Sequence, residues 1–304
     1  MDPNIRLSKS QSPQTPEEEE MWTIPYIQVT GALLYLALCT WPDIAYSVGV
    51  LCRFNSNPGL AHWKAVKHLL HYVHGTLDYH IEYSASAASS SPSPFLAFSD
   101  ADHGGNLDNG HSTTGSLITI AGGAVSWSSR LQSIVALSTT EAEFVAASET
   151  RHELCWLCNF LADIGMPQLK PSHLNMDNQS AISVSKHPKH MGCLKHLNYH
   201  WFWLRQVVHD GKVAPAFIPS KDMVADLLTK VLPWEMVDWL RWMMGIVGEP
   251  SREELQWCTP SGGSVEDMIE SAVYAHWSLI RNTWSIWFFL FFHCSLDSLL
   301  TTRI

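Results

Sequence analysis

Alternating apolar and polar positions predict buried strands that end in aspartates. The run Phe95–Ser99 is apolar enough for a buried strand, and side-chain alternation places Phe98 and Asp100 on one face. The run His173–Met176 repeats the arrangement and is followed by Asp177. Both aspartates are therefore predicted to lie where a strand ends.

Five predicted strands, the first three consecutive and the others separated by helices, indicate the fold class. The strands are expected at Pro94–Ser99, Ser116–Ile120, Ala124–Ser129, Ser172–Asp177 and Lys212–Ser220. The Gly122–Gly123 pair is a hairpin signal, since glycine readily adopts positive φ. A long helix before the fourth strand suits a right-handed crossover, which sets the strands of Asp100 and Asp177 side by side and parallel. The pattern predicts an α/β fold (an α+β mixed sheet), with five strands flanked by helices and an N-terminal helical segment.

The helical period distinguishes two neighbouring glutamates. Apolar residues recur on one stripe of the helix after Ser138, and Glu143 lies in the middle of that stripe at about 100° per residue. Glu141 lies about 160° round the same helix. Ser138 and Glu141 also fit a capping box, in which each side chain satisfies a backbone N–H of the other. Glu141 is therefore assigned a structural role, and Glu143 remains the candidate for chemistry.

A fourth acid, Asp226, is predicted early in the helix that follows the last strand. A single Asp at a strand end or in a first helical turn is more often a cap than a ligand. The joint order of Asp100, Glu143, Asp177 and Asp226 favours convergence at one place. Carboxylate oxygens suit hard divalent ions better than imidazole or thiolate would, so convergence predicts a divalent-metal site.

Seven motifs occur in a fixed order between Tyr26 and Gly245. They are Gly31–Ala37, Thr40–Tyr46, Ser99–Asp102, Ser112–Gly115, Ser138–Phe144, Asp177–Ala181 and Ala225–Lys230. Together they resemble the C-terminal part of the Pol polyprotein of copia-type long-terminal-repeat retrotransposons. The predicted order of strands and helices is also the ribonuclease H arrangement. The resemblance therefore implies a ribonuclease H-like fold.

The resemblance and the local composition together predict a division of the chain. We expect a disordered N-terminus (1–21), a reverse transcriptase connection segment (22–85), a linker (86–94), a ribonuclease H-like domain (95–245) and an unassigned tail (246–304). The polymerase aspartates of the family lie upstream, so no DNA synthesis is expected from this polypeptide. The apolar stretch Trp284–Cys294 in the tail is short for a bilayer, which needs about 20 residues, so membrane association is not expected.

The resemblance also implies a two-metal nuclease. Two Mg²⁺ ions about 4 Å apart, or Mn²⁺ in their place, would activate a water and stabilise the leaving oxygen of a phosphodiester. Asp100 would bridge the ions, Glu143 and Asp177 would ligate one, and Asp226 would complete the second. The substrate would be the RNA strand of an RNA:DNA hybrid, recognised through groove shape and 2′-hydroxyls. The upstream reverse transcriptase domain is a candidate partner.

Charge gives weak support for nucleic-acid binding. The formal net charge is −10, whereas counterion release by basic residues normally dominates such affinity. The exception is the basic segment 186–212. Its candidate phosphate contacts are Lys186, Lys189, Lys195 and Arg205. A solvated helix face explains these charges equally well. His196 is a candidate accessory that moves a proton or contacts phosphate, and a surface or packing histidine is the alternative.

A second interpretation is a catalytically silent retrotransposon remnant. His103 stands where the family usually has Trp, and Cys193–Leu194 stand where Arg–Thr is usual. Such drift around a metal site weakens the residues that support its ligands. A histidine-rich metal module at His68, His71 and His74 ranks below both, because no acid or cysteine accompanies it. Scattered cysteines and no signal peptide predict an intracellular protein, cytoplasmic or nuclear rather than secreted.

Overall fold

A computed structural model of the chain describes residues 5–14, 24–90, 93, 95–168, 170–186 and 199–248. Its helices and strands are α1 (Tyr26–Cys39), α2 (Ala45–Cys52), α3 (Leu60–Gly75), β1 (His80–Ile81), α4 (Ala85–Ser90), β2 (Phe95–Asp102), β3 (Thr113–Ile120), β4 (Gly123–Leu131), α5 (Thr139–Asp163), β5 (Ser172–Met176), α6 (Gln179–Lys186), α7 (Tyr199–His209), β6 (Val213–Phe217), α8 (Trp234–Met243) and β7 (Ile246–Val247). Short 3₁₀ helices lie at Lys9–Gln11, Pro42–Ile44, Ser220–Asp222 and Val224–Leu228.

Five strands form a mixed sheet in the order β4-β3-β2-β5-β6. β2 pairs antiparallel with β3, and β3 pairs antiparallel with β4. β5 lies on the other side of β2 and is parallel to both β2 and β6. Pro215 lies in β6, an edge of the sheet, where a missing N–H costs no ladder hydrogen bond. The α/β class and the ribonuclease H-like strand order are confirmed.

The hairpin between β3 and β4 turns one residue earlier than the glycine pair predicts. Ile120 pairs with Gly123, so Ala121 and Gly122 are the two central residues of the turn. Their φ angles are 52° and 86°. A two-residue turn with positive φ at both positions matches the right-handed twist of the flanking strands. Gly122 adopts a positive φ without steric cost, whereas the Cβ of Ala121 makes a positive φ less favourable there.

Two apolar clusters cover the two faces of the sheet. On one face, Phe95 and Ala97 belong to a cluster that includes Phe144 of α5. On the other face, Phe98 belongs to a cluster with Val224 and Leu228 of the 3₁₀ helix and with residues of α8. Strand alternation separates these sets. Asp100 continues the alternation of Phe98 and therefore leaves the sheet toward the segment that carries Asp226.

The N-terminal segment differs from the sequence expectation where it is described. Residues 5–14 lie against the connection helices and the loop after β2, although the polar composition predicts disorder. The Lys9 backbone N–H donates to Asp108 Oδ1 over 3.0 Å. His62 Nε2 lies 3.1 Å from the Ser8 carbonyl oxygen. Composition does not reveal these partners, because they lie far along the chain.

Residues 24–85 pack on the sheet and on the end of the described chain. Trp127 Nε1 of β4 donates to the Ala37 carbonyl over 2.7 Å. β1 pairs antiparallel with β7, and the Glu82 N–H donates to the Gly245 carbonyl over 2.8 Å. The stretch expected to be a linker begins with α4, in keeping with the helix propensity of its alanines. Residues 249–304, most of the unassigned tail, lie outside the described residues.

Candidate metal centre

Asp100 is a buried acid near the carboxyl end of the central strand β2. Asp100 is 2% exposed. The Thr229 hydroxyl donates to Asp100 Oδ2. Gly115 of β3 lies directly opposite Asp100 in the antiparallel ladder. The carboxylate is therefore held against a hydroxyl from the segment that covers this face of the sheet.

Glu143 and Glu141 contact different backbone groups around the start of α5. Ser138 is the N-cap of α5, and its side-chain oxygen accepts from the Glu141 N–H over 3.2 Å. Glu141 Oε2 accepts from the Leu137 N–H over 3.0 Å, one residue before the predicted cap partner. Glu143 lies about 160° round the helix from Glu141. Both are buried, and Glu143 Oε1 accepts from the Ala101 N–H over 3.4 Å. The glutamate nearest the sheet edge is thus Glu143.

Asp177 follows β5, the parallel neighbour of β2, and completes a cluster of three acids. One carboxylate oxygen from each of Asp100, Glu143 and Asp177 lies within 4.8 Å of the others. Asp177 is half-buried, and its Oδ2 accepts from the Ser220 hydroxyl over 2.7 Å. Parallel pairing of β2 and β5 is what brings two of these acids to one edge.

Asp226 lies beside this cluster but is not one of its three members. It is 4% exposed and belongs to the tight 3₁₀ helix Val224–Leu228, where the sequence predicts an ordinary helix. Its N–H donates to the Met223 carbonyl three residues earlier, which is the 3₁₀ pattern. Its Oδ1 lies 2.9 Å from Lys230 Nζ, and the same ammonium lies 3.6 Å from Asp100 Oδ2.

Burial and mutual repulsion raise the pKa of two of the acids. Burial, then the charges of Asp100 and Asp177, raise the pKa of Glu143 to about 10. Burial and the charge of Asp100 raise the pKa of Asp226 to about 7, against the opposing effect of Lys230. Burial lowers the pKa of Lys230, but Asp100 and Asp226 outweigh it and raise that pKa above its ordinary value. Ionisation of all these acids together is therefore unfavourable when Lys230 is the cation beside them.

The residues present fit a divalent cation. Glu143 Oε2 is buried, and no hydrogen-bond donor reaches it from the described residues. Two oxygens on opposite sides of one Mg²⁺ are about 4.2 Å apart, so carboxylate oxygens within 4.8 Å of one another need only a small approach to share an ion. A buried acceptor without a donor carries a desolvation cost that a cation would remove. The donor set consists of carboxylate oxygens, which Mg²⁺ and Mn²⁺ prefer.

The predicted nucleic-acid contacts that the structure describes lie away from the acids. Lys186 ends α6, and Arg205 lies on α7, where its Nε donates to the Val184 carbonyl over 2.8 Å. Both line a groove with the residue just before β5 and with the first residues of β6, whereas Asp177 follows the end of β5. They therefore lie at the opposite end of the parallel strands. Lys189, Lys195 and His196 lie outside the described residues.

Four residues at the site have no role in the sequence-based prediction. They are Gly115, Ser220, Thr229 and Lys230. The i,i+4 spacing of Asp226 and Lys230 is a sequence signal that indicates an ion pair. The other three depend on how the segment 220–230 packs against β3 and β5, and no period along the chain encodes that packing.

The strand order defines a ribonuclease H-like domain, and three acids meet at the carboxyl ends of two of its neighbouring strands. A retrovirus-related Pol polyprotein from transposon TNT 1-94 of Nicotiana tabacum is 41% identical over 245 residues, 80% of this chain and 18% of the relative. The Pol polyprotein from transposon RE2 of Arabidopsis thaliana is 33% identical over 207 residues, 68% of this chain and 14% of the relative. The chain belongs to this family of copia-type transposon Pol polyproteins, as its motifs predict, and spans less than a fifth of either relative.

Further comparisons give a shorter relative and two solved structures. Secreted RxLR effector protein 161 of Plasmopara viticola is 41% identical over 137 residues, 45% of this chain and 94% of that protein. LC11-RNase H1, isolated from compost, is 17% identical with a TM-score of 0.32, covering 48% of this chain and 97% of its own. The N-terminal RNase H domain of a Mycobacterium tuberculosis protein is 11% identical with a TM-score of 0.30, covering 49% and 97%.

No protein-family model matches the chain. Within the described residues, none of the helices combines the length and the apolar character that crossing a bilayer requires.

Proposed function

We propose that this chain is a metal-dependent ribonuclease that cleaves the RNA strand of RNA:DNA hybrids. The observation that carries the proposal is the convergence of Asp100, Glu143 and Asp177, together with the buried Glu143 oxygen that no described donor reaches. Membership of the Pol family supplies the context, because these acids lie within the motifs that the family resemblance rests on.

The acids divide into two sets of candidate ligands. Asp100, Glu143 and Asp177 would hold one divalent ion, and Asp100 with Asp226 would hold a second. When bound, Mg²⁺ would supply an activated water and charge stabilisation for the leaving oxygen of the phosphodiester. Mn²⁺ takes the same oxygen ligands and is the alternative ion.

Neighbouring side chains orient these acids. The Thr229 hydroxyl donates to Asp100, and the Ser220 hydroxyl donates to Asp177. The Ala101 N–H donates to one oxygen of Glu143 and leaves the other oxygen free to ligate. Each hydroxyl fixes one oxygen of its partner carboxylate. Such supporting donors typically contribute 10–100-fold to metal affinity or activity, as an order of magnitude.

The substrate follows from the class of site. A hybrid is recognised mainly through groove shape and 2′-hydroxyls, which demands little base-specific contact. The net charge of −10 gives weak electrostatic attraction, so the upstream reverse transcriptase domain is the partner proposed to contribute substrate affinity. Lys186, Lys189, Lys195 and Arg205 remain proposed phosphate contacts, and His196 remains a proposed accessory.

The connection segment is proposed to belong to the same working unit. Residues 22–85 correspond to the connection, 86–94 to the linker and 95–245 to the ribonuclease H-like domain. The hydrogen bonds of Trp127 to Ala37 and of Glu82 to Gly245 support treating the connection and the domain together.

The test is cleavage of an end-labelled RNA:DNA hybrid by the full chain, with Mg²⁺ and with EDTA. We expect metal-dependent cutting of the RNA strand, and a loss of at least about 100-fold in Asp177→Asn, since a metal ligand is removed. Asp163→Asn changes an exposed acid at the end of α5 and serves as the matched control. A folded wild-type protein that leaves the hybrid intact would instead favour the silent remnant.

A further inference from the structure

A lysine ammonium lies between two of the four candidate ligands. Lys230 Nζ is 2.9 Å from Asp226 Oδ1 and 3.6 Å from Asp100 Oδ2. These are the two carboxylates assigned to the second ion. The three acids assigned to the first ion lie within 4.8 Å of one another and do not include Asp226. The ammonium therefore lies beside one half of the proposed site and leaves the other half open.

We propose that Lys230 occupies the position of the second divalent cation. The chain then binds one divalent ion at Asp100, Glu143 and Asp177, and it admits a second ion only when the Lys230 side chain moves away. This inference rests on the proposed function, because it takes the acids to be metal ligands. Lys230 acts through Asp100 and Asp226 and is a positioning residue.

Local backbone structure sets the position of the ammonium. The N–H groups of Thr229 and Lys230 both donate to the Asp226 carbonyl, over 3.2 and 3.1 Å. One tight turn therefore carries the acid, the Thr229 hydroxyl that binds Asp100 and the lysine that bridges the two acids. The arrangement is built into five consecutive residues and does not depend on a long flexible segment.

Burial explains why the two acids need a cation there. The side chains of Asp100 and Asp226 are 3% and 6% exposed, whereas that of Lys230 is 42% exposed. Neighbouring buried carboxylates without a counter-charge are strongly unfavourable, and the ammonium supplies one positive charge. Because the lysine stem reaches solvent, the ammonium has a route out of the site.

The same geometry makes Lys230 a competitor of the second ion. A divalent cation bound between Asp100 and Asp226 would share its ligands with the ammonium at close range, where like charges repel strongly in a poorly solvated site. Glu143 is a candidate ligand of the first ion alone, and its buried Oε2 accepts no hydrogen bond from the described residues. Occupancy by one ion or by two is therefore set by the concentration of divalent cations and by the position of Lys230.

The experiment counts bound Mn²⁺ on the full chain by electron paramagnetic resonance, without substrate. We expect one ion per chain in the wild type over a titration in which Lys230→Met binds two, with the affinity of the second site raised by about tenfold or more. Lys230→Arg keeps the charge and should bind one ion. Lys67→Met changes an exposed lysine on α3 and should match the wild type.

The outcomes separate this inference from the proposed function. Two ions in the wild type, or one ion in Lys230→Met, would overturn the role of Lys230 while leaving the metal site in place. No Mn²⁺ on the folded wild type would overturn the proposed site and this inference together. Lys230→Gln provides a second neutral variant, and circular dichroism verifies that each variant is folded before ions are counted.

Discussion

Gly115 lies directly opposite Asp100 in the β2–β3 ladder, and the space beside its Cα is taken by the turn that carries the fourth acid. A Cβ at this position would lie 2.7 Å from the Ala225 carbonyl oxygen, 2.7 Å from Thr229 Cγ2 and 3.0 Å from Leu228 Cβ. The absence of a side chain thus allows the segment with Asp226, Thr229 and Lys230 to approach the central strand.

Gly115→Ala is expected to push this segment away from β3. We expect a loss of about 1–3 kcal/mol in the free energy of unfolding, the usual cost of overpacking, and a weaker affinity for Mn²⁺. Thermal unfolding and Mn²⁺ titration measure the two effects. Gly31→Ala is the control, because a Cβ at Gly31 meets nothing within 4 Å and alanine favours a helix by about 0.5–1 kcal/mol. Equal effects of the two substitutions would contradict the packing argument.

The metal-free protein is expected to lose stability as pH rises. Glu143 in the unfolded chain ionises near 4.5, whereas in the folded chain its pKa is about 10. Between these values the folded state binds more protons than the unfolded state, so the contribution present at low pH is lost as pH rises. One proton gives at most about 1.4 kcal/mol per pH unit.

Thermal unfolding in EDTA between pH 7.5 and 9.5 measures this slope, above the range in which Asp226 mainly titrates. Glu143→Gln removes the titrating group and should flatten the profile, while Glu82→Gln, an exposed control, should not. Divalent ions favour ionised carboxylates, so saturating Mg²⁺ should reverse much of the loss. A slope unchanged in Glu143→Gln would assign the pH dependence to other groups.

A buried polar network joins the N-terminal helical segment to α8. Tyr72 of α3 donates to Asp43, and Arg241 of α8 donates to the hydroxyls of Tyr72 and Tyr79 over 3.2 and 3.4 Å. Arg241 is 3% exposed and lies 4.2 Å from the centre of the Tyr79 ring.

Arg241→Met is expected to lower the free energy of unfolding by about 3–5 kcal/mol, because the remaining polar groups stay buried without the guanidinium. Chemical denaturation measures the change. Tyr79→Phe removes one long hydrogen bond and should cost about 1 kcal/mol. Near-neutral behaviour of Arg241→Met would show that the network contributes little to stability.

Arg151 of α5 is a buried charge on the other face of the sheet from α8. Its residue is 0% exposed, and its three nitrogens have no hydrogen-bond partner in the described ranges of the chain. The guanidinium carbon lies 3.9 Å from the centre of the Trp203 ring. Burial lowers the pKa of Arg151 to about 10.

Arg151→Met is expected to raise the free energy of unfolding by about 1–4 kcal/mol, since an apolar side chain of similar size avoids the desolvation cost. Arg130→Met, at an exposed position on β4, should change it by less than about 0.5 kcal/mol. Thermal unfolding compares the two. Destabilisation by Arg151→Met would show that the guanidinium is favourably paired in solution.

The strands and the choice of Glu143 follow from periodicity, because burial imposes a repeat of two on strands and of 3.6 on helices. The parallel pairing of β2 and β5 follows from the long helix between them. The proximity of Asp100, Glu143 and Asp177 could therefore be predicted from the sequence.

Contacts between segments far apart along the chain could not be predicted from the sequence. Gly115 and Thr229 matter because a 3₁₀ turn packs on β3, and Lys9 has a partner at Asp108 that composition does not indicate. The 3₁₀ form of Val224–Leu228 likewise depends on the cluster it packs into, because a five-residue segment has no strong helical period of its own.

The pairing of β1 with β7 determines which parts of the chain must stay together for the fold to remain complete. The N-terminal helices are followed by the strand His80–Ile81, whose partner is formed by Ile246 and Val247, after the last of the candidate acids. A recombination event that copied residues 95–245 alone would leave Gly123 without Tyr83 against it and the Gly245 carbonyl without its donor. A stable unit for transfer between chains would therefore include His80–Ile81 and Ile246–Val247 as well as residues 95–245.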